Sequence, residues 1–563
     1  QESRGLGDVY KRQLYMKNIT LLFCLFLANI LLGACSGGED EKKEMDEGKG
    51  AYALFLKKSI TVSTGESQTD VVVEWAKTSW EIILGEGDIV KSVTPTSGGS
   101  NTGEKQYTKV RVSCGANSTM KKRTQTIHLF DKTNETTVDL LVEQEPPFKS
   151  VTLTVDPSVK YQPVVGFGGM YNPKIWCGDN LISAPQLDKM YGVGGLGYSI
   201  LRLMIYPNES DWSADVEAAK AAQANGAIIF ACPWDCTDAL ADKITVNGKE
   251  MKHLKKENYE AYANHLIRYV TFMKGKGVNL YAISVQNEPD MEFTYWTPSE
   301  VVDFVKQYGA RIRETGVKLM SPEACGMQPE YTDPIINNAE AFAQTDILAG
   351  HLYQGFTDLS SGYVKNRHDY ICGVYSRIQG KTWWMTEHLF NDGENSDDSS
   401  KWEFLKWQYS LNHLGKEIHM CMEGYCSAYI YWYLKRFYGL MGDTDKRSPT
   451  SEGEITKNGY IMAHYAQYAT ETTRIKVVTN NEEVCATAYL DEKTGEVTIV
   501  LLNLNGASQW LEIPLAGIKK ASAVETNETK NMEVIDTGLM ESAEGITVLL
   551  SANSITSVRL TFK

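Results

Sequence analysis

The sequence predicts an α/β protein: a (β/α)8 TIM barrel with a C-terminal side β-sandwich, preceded by an N-terminal Ig-like β-sandwich. Three observations predict it. Eight apolar, strand-like runs alternate with amphipathic stretches through 163–468, the pattern of strands that each feed a covering helix. Short alternating runs, punctuated by Gly, Ser, Asn and Pro, occupy 53–146 and 469–563, as in packed antiparallel sheets. With 563 residues, 42% of them hydrophobic, the chain is too long for one ordinary domain and ample for several cores.

In chain order, residues 1–15 have no recognisable role and are not expected to belong to the genuine product. Met16 opens a better start, with Lys17 and then an apolar run over 19–32. A run of ~14 residues is too short to cross a bilayer and fits the core of a signal peptide, here 16–34. The segment ends Leu32-Gly33-Ala34-Cys35, which resembles a bacterial lipobox. That resemblance implies cleavage before Cys35 and lipid attached to its sulfur. The following Ser36-Gly37-Gly38-Glu39-Asp40-Glu41 resembles the acidic signal of Bacteroidetes surface lipoproteins. The expectation is an outer membrane lipoprotein, exposed at the cell surface and held to the membrane through Cys35; a plain secretory signal is the alternative. Residues 35–52, charged and Gly-containing, read as a flexible acidic tether.

From 53 to 146 the strand-like runs fall at 59–62, 70–74, 80–84, 109–114, 124–130 and 137–143. Together with Trp80, Ser97-Gly98-Gly99, Asn117, Arg123 and Val142-Glu143-Gln144, they resemble a BACON domain, a module common in Bacteroidetes surface enzymes. The resemblance leaves two roles open, glycan or mucin binding and a rigid spacer. Pro146-Pro147 reads as a stiff linker.

The barrel strands are read at 164–169, 199–205, 227–231, 280–285, 317–321, 347–351, 381–386 and 428–433, with helical stretches at 216–224, 259–274 and 298–315 between some of them. Thr297-Pro298-Ser299-Glu300 has the chemistry of a helix start, with Thr as cap, Pro in the first turn and Glu closing a capping box. Residues 150–162 lend a strand to the tail, whose own strands are read at 483–489, 496–502, 510–513, 521–525, 546–550 and 555–562.

Composition narrows the partners. A net charge of −15 argues against nucleic acid. The 12 Trp and 30 Tyr suit stacking on the apolar faces of sugars, although large barrels bury aromatics in any case. The cysteines are scattered: Cys232 and Cys236, or Cys421 and Cys426, lack a second matched pair or a suitable His, so buried thiols are expected rather than a disulfide framework or a zinc site. No metal and no cofactor are predicted, and a monomer is expected.

In such a barrel, catalytic groups belong at the C-terminal ends of strands. Two acids sit there after apolar runs, in Ile283-Ser284-Val285-Gln286-Asn287-Glu288-Pro289 and in Trp383-Trp384-Met385-Thr386-Glu387-His388. Roughly 100 residues apart, they end the fourth and seventh strands and face each other across the mouth. Carboxyls separated by about 5–5.5 Å perform double displacement, here with Glu288 as acid/base and Glu387 as nucleophile. The alternative is that both merely cap helices.

At these residues the chain resembles glycoside hydrolase family 30, and within it the glucuronoxylanase branch, subfamily 8. The likeness runs through Val164-Val165-Gly166-Phe167-Gly168-Gly169, Leu201-Arg202-Leu203, Cys232-Pro233-Trp234, Tyr295-Trp296-Thr297-Pro298, His351-Leu352-Tyr353, the two acid motifs and 431–439. It implies that Asn287 contacts the sugar 2-hydroxyl, that Trp234 is a sugar platform, and that Arg202, His351, Tyr353 and Trp296 line the site. It further implies that Trp432, Arg436 and Tyr438 bind the methylglucuronic acid branch of a xylan-type polysaccharide. A guanidinium suits that carboxylate. The chain departs from the family after the nucleophile, where Leu389 replaces the usual Tyr and an acidic loop through Asn391 and Asp392 runs to Asp398. The resulting expectation is a retaining endo-β-1,4-xylanase of glucuronoxylan or glucuronoarabinoxylan. The alternatives are relaxed specificity for plain xylan or another β-glycan, and a surface glycan-binding protein that does not cut.

Overall fold

The structure is a computed structural model that describes residues 50–102, 104–117, 122–146, 149–175, 181–378, 380–539 and 545–563. The signal segment and Cys35 lie outside the described residues. The chain divides into two compact units, Gln1–Pro147 and Phe148–Lys563.

The first unit is a β-sandwich. One sheet has Tyr52–Phe55, Ser67–Ala76, Gln106–Cys114 and Val90–Thr94 in that order; the other has Ser59–Val62, Thr136–Gln144, Arg123–Asp131, Ser79–Leu84 and Ser97–Gly99. Period-two patterning fixes the inward faces. In Gln106–Cys114, Val110, Val112 and Cys114 are buried while the residues between them are not. These side chains meet Trp80, Ile127, Leu129 and Leu140 of the other sheet in one core. The Ser97-Gly98-Gly99 motif has a packing reason: a Cβ on Gly98 would lie 2.7 Å from the Trp80 ring.

The second unit opens with Lys149–Val164 and then closes a barrel of eight parallel strands: Gly166–Tyr171, Ile200–Ile205, Ile228–Pro233, Leu280–Ser284, Lys318–Ala324, Ile347–His351, Thr382–Glu387 and Cys426–Tyr431. The eighth strand pairs back on the first, Ala428 opposite Gly166. Helices Val216–Ala224, Tyr259–Gly275, Pro298–Arg313, Gly362–Val374 and Lys457–Ala469 are among those that cover it. The capping box at Thr297 forms as its chemistry predicts, with Thr297 accepting from the Glu300 amide and Glu300 accepting from the Thr297 amide. A hairpin, Ala241–Val246 with Lys249–Leu254, interrupts the third βα unit. Its polar, alternating exposed residues carry no strong strand signal, and it was not anticipated.

Strand alternation builds the barrel interior in layers. Ile200, Phe230, Ala282, Met320, Ala349, Trp384, Ala428 and Ile430 form an apolar plug. Two residues further along their strands stand Arg202, Cys232, Ser284 and His351, which point to the same side and so make a polar layer directly above the plug.

The tail forms a ten-stranded sheet whose seventh member is Lys149–Val164, placed between Thr472–Thr479 and Gln509–Ile513. The sheet folds over on itself: Val151, Leu511 and Val548 share one core with Ile475, Ile499 and Val558. It is therefore a sandwich with the barrel's leading strand built in.

Candidate active site

Glu288 lies four residues beyond the fourth strand on a loop stitched to its neighbours. The Asn287 amide donates to the Pro233 carbonyl (2.7 Å), and the Glu288 amide donates to the Glu323 carbonyl (2.9 Å). Gln286 donates from Nε2 to the Trp234 carbonyl at 2.6 Å. These bonds hold Glu288 at φ +44°, a left-handed conformation that costs a non-glycine residue about 1–3 kcal/mol. Glu387 reaches the same space by another device. The register shifts between Gly350–Met385 and His351–Glu387, leaving Thr386 as the extra residue of a bulge. That extra residue turns Glu387 to the face His351 occupies; in a regular strand it would point outward.

The two carboxylates and His351 each offer a ligand-type atom within 4.8 Å of one another. Among the described residues this is the group that could hold a metal. Its atoms are already engaged, however, and the Arg202 guanidinium supplies positive charge at that point. Arg202 donates from Nη1 to Glu387 Oε2 (2.5 Å), and from Nη2 to Asn287 Oδ1 and Glu323 Oε2 (both 2.8 Å). Tyr353 donates to the other Glu387 oxygen at 2.9 Å. His351 Nδ1 lies 2.9 Å from Glu288 Oε1. Asn287 Nδ2 is buried without a hydrogen-bond partner, a donor left over for something else.

Burial pushes the Glu387 carboxyl upward; the His351 and Arg202 charges pull it back, Glu288 pushes it up again, and the net direction is upward. Burial would lower His351, but the carboxylates of Glu387, Glu288 and Glu323 lift it to about 10, so the ring is a cation at neutral pH. Burial likewise opposes the Arg202 charge, and Glu323 and Glu387 more than restore it. Burial and the neighbouring Glu387 raise the Tyr353 hydroxyl, which stays a donor.

Trp234 packs beneath Arg202, whose Cζ is 4.6 Å from the ring centre, and beside Trp432 at 5.5 Å between rings. Arg436 and Tyr438 follow Trp432 on the segment after the eighth strand, with Arg436 Cζ 5.7 Å from the rings of both Phe437 and Tyr438. Trp296 requires a correction. Expected to line the site, it is instead 1% exposed, stacked on Tyr259 and edge-on to Phe304 in the aromatic layer behind it. Its motif ends a loop whose next residue caps a helix, and that helix draws the indole into the shell.

Sequence reasoning missed several residues. Glu323 sits at the centre of the polar layer, bound by Arg202, by Ser284 Oγ (2.8 Å) and by Cys232 Sγ (3.3 Å). Glu417 clamps His388, next to Glu387, with both oxygens 2.8 Å from Nδ1, and accepts from the Tyr429 hydroxyl at 2.7 Å. Arg447 stacks on Phe437 at 3.6 Å and forks onto Asp445. The signal for Glu323 was the one that found Glu288 and Glu387, an acid at a strand end.

No protein-family model matches the chain. Individual relatives do. Glucuronoxylanase XynC of Bacillus subtilis (strain 168) is 35% identical over 416 residues, covering 72% of this chain and 90% of that protein. A GH30 endoxylanase from Clostridium papyrosolvens C71 superposes with a TM-score of 0.59 at 30% identity, over 73% of this chain and all of that one. Xyn30A, a glycoside hydrolase family 30 subfamily 8 xylanase from Clostridium acetobutylicum, gives 0.58 at 27% identity, over 73% and 99%. Identity of this extent, along a barrel that brings two carboxylates together at its mouth, makes the chain a glycoside hydrolase belonging to family 30, akin to the subfamily 8 glucuronoxylanases.

Proposed function

We propose that the enzyme is a retaining endo-β-1,4-xylanase that cuts glucuronoxylan or glucuronoarabinoxylan by double displacement. The observation that carries the mechanism is that one oxygen of Glu288 and one of Glu387 lie within 4.8 Å of each other. That approach suits carboxyl groups ~5–5.5 Å apart, as in retaining pairs, better than the ~6.5–9.5 Å that admits a water between them. Both Glu387 oxygens accept hydrogen bonds, from Arg202 and Tyr353, which work against the upward push of burial and towards the ionised, attacking form. Glu288 protonates the leaving oxygen, then takes a proton from the water that frees the covalent glycosyl-enzyme. Asn287 Nδ2 donates to the 2-hydroxyl of the sugar under attack, a bond that tightens as the ring becomes oxocarbenium-like.

The substrate rests on Trp432, Arg436 and Tyr438 and on the relatives' glucuronoxylanase activity. Arg436 grips the branch carboxylate. The loop after Glu387 tempers this grip: it carries Leu389 where the family has Tyr, and it touches the Arg447–Asp445 pair through the Glu394 carbonyl (3.4 Å from Arg447 Nη1). The test is a mass-spectrometric product map on glucuronoxylan and on linear xylo-oligosaccharides, for wild type and Arg436→Ala. Products with one methylglucuronate at a fixed place, lost in the variant, are expected. Equal cutting of both substrates by both proteins would make the enzyme a general xylanase.

The lipobox-like Leu32-Gly33-Ala34-Cys35 supports export and anchoring at the cell surface, with the BACON-like unit as a spacer and the enzyme a monomer. Cys35→Ala is expected to move the protein from the membrane fraction to the soluble one; unchanged fractionation would remove the anchor.

A further inference from the structure

Glu323 is fully buried, and donors or thiols from four strands converge on it: Arg202 from the second, Cys232 from the third, Ser284 from the fourth and His351, with Nε2 3.5 Å away, from the sixth. It is itself the extra residue of a bulge in the fifth strand, between the pairs Pro322–Ala349 and Ala324–Gly350. Its φ of +59° is a left-handed conformation that a side chain adopts when its surroundings impose it. Its backbone carbonyl receives the Glu288 amide. One residue thus binds Arg202 by side chain and the Glu288 amide by main chain, and lies beside His351: Arg202 reaches Glu387 and Asn287, and His351 reaches Glu288.

We propose that Glu323 is a positioning residue for the hydrolysis: a fixed third carboxylate that holds Arg202 by its side chain and the Glu288 loop by its main chain, and offsets the buried cations that face the Glu288–Glu387 pair. The charge count follows from the groups that face the pair. Arg202 and His351 are positive. Tyr353 and the Cys232 and Cys325 thiols stay neutral, their hydroxyl or thiol raised by burial first and then by nearby carboxylates. Asp290, lifted to about 6 by burial and by Glu288, is a further anion above that pH, in wild type and variants alike. Burial alone would raise Glu323; Arg202 first and His351 next hold it near 2 instead, so it is ionised throughout the working range. Arg202 and His351 both favour ionised carboxyls in the pair, and Glu323 opposes them from a fixed place. Without the Glu323 charge the cations act on the pair less opposed, and the general acid gives up its proton at lower pH.

The inference rests on the paired-carboxylate reading above, and its test separates the two. The experiment is the pH profile of kcat on glucuronoxylan for wild type, Glu323→Gln and Glu323→Asp. Losing a charge within ~4–6 Å moves a neighbouring carboxyl by about one pH unit or more. The alkaline limb of Glu323→Gln is therefore expected to fall by that amount, while Glu323→Asp, which keeps the charge, holds its limb near that of wild type even if slower. A Glu323→Gln limb that stays in place while the rate drops evenly at all pH would overturn the proposal and leave a packing role. Should Glu323→Gln fail to fold, 15N NMR of the wild-type histidines decides. An imidazolium at His351 at neutral pH supports the charge count and a neutral ring overturns it. If wild type cuts another β-glycan and spares xylan, the substrate reading falls and the same profile is read on that glycan. If it cuts none, the catalytic reading falls and the His351 signal still settles the count.

Discussion

Glu288 and Glu387 are the same side chain, and only what touches them separates the roles proposed for them. Glu387 carries donors on both oxygens, whereas Glu288 faces one ring nitrogen of His351. Replacing either by Ala should lower kcat on xylan by ~10²–10⁴-fold. Added azide should then distinguish them. With Glu288→Ala the nucleophile still forms the glycosyl-enzyme, and azide takes it from the face water would use, giving an azide of retained configuration. With Glu387→Ala azide fills the place of the missing carboxylate and gives the inverted product. NMR of the products checks this, and the opposite assignment would exchange the two roles. Both acids were legible because each follows an apolar strand at the barrel mouth. Glu323 obeys the same rule and was missed because Pro322 reads as a strand end, which placed the boundary at residue 321. The strand instead continues through the proline to Ala324 in a bulge. Trp296 failed in the other direction. Its motif was legible, but which way an indole turns is settled by Tyr259 and Tyr262, far from it in sequence, and by Phe304 on the helix that follows.

The elements show why most of the fold could be read and part could not. All eight barrel strands fall within a few residues of where their apolar runs place them, because a strand covered by helices outside and a plug inside has to be apolar on both faces. The polar layer was not legible as a layer. It depends on cross-strand register, which sets Arg202 opposite Phe230 and His351 opposite Glu387, and no single strand records that. The Gly166-Phe167-Gly168-Gly169 run has a reason that only the closed barrel supplies. A Cβ on Gly168 would stand 1.7 Å from the Ile200 carbonyl oxygen, so the first and second strands could not approach with any side chain there. The hairpin at 241–254 is the reverse case: a two-stranded ribbon whose residues are exposed or half-buried, Leu254 apart, needs no apolar signature, so none was present to read.

At the scale of the whole molecule the decisive element is Lys149–Val164. It pairs antiparallel with Thr472–Thr479 and parallel with Gln509–Ile513, joining the two limbs of the ten-stranded sheet. It also braces the base of the barrel. Gln162 donates to the carbonyls of Met422 and Cys426, where the eighth strand begins, and accepts from Arg474 Nε of the tail. Arg474 in turn lies over the Tyr161 ring at 4.0 Å. Every residue assigned to chemistry lies after this strand, and the first unit has a core of its own. Where the chain is cut should therefore matter more than how much is removed. A fragment of residues 149–563 is expected to fold and to keep kcat/KM on soluble glucuronoxylan within about twofold of the longer protein, since distant and independent parts contribute nearly additively. A fragment of residues 165–563, shorter by only sixteen more, loses the strand that holds both sheet limbs and the Gln162 brace. Edges of two half-sheets are then exposed, and unpaired edges of that kind aggregate. Circular dichroism and size-exclusion chromatography of the two fragments, run beside the activity assay, give the answer. A folded, active 165–563 would show that the barrel stands without its leading strand. An inactive but folded 149–563 would mean that the first unit takes part in catalysis after all.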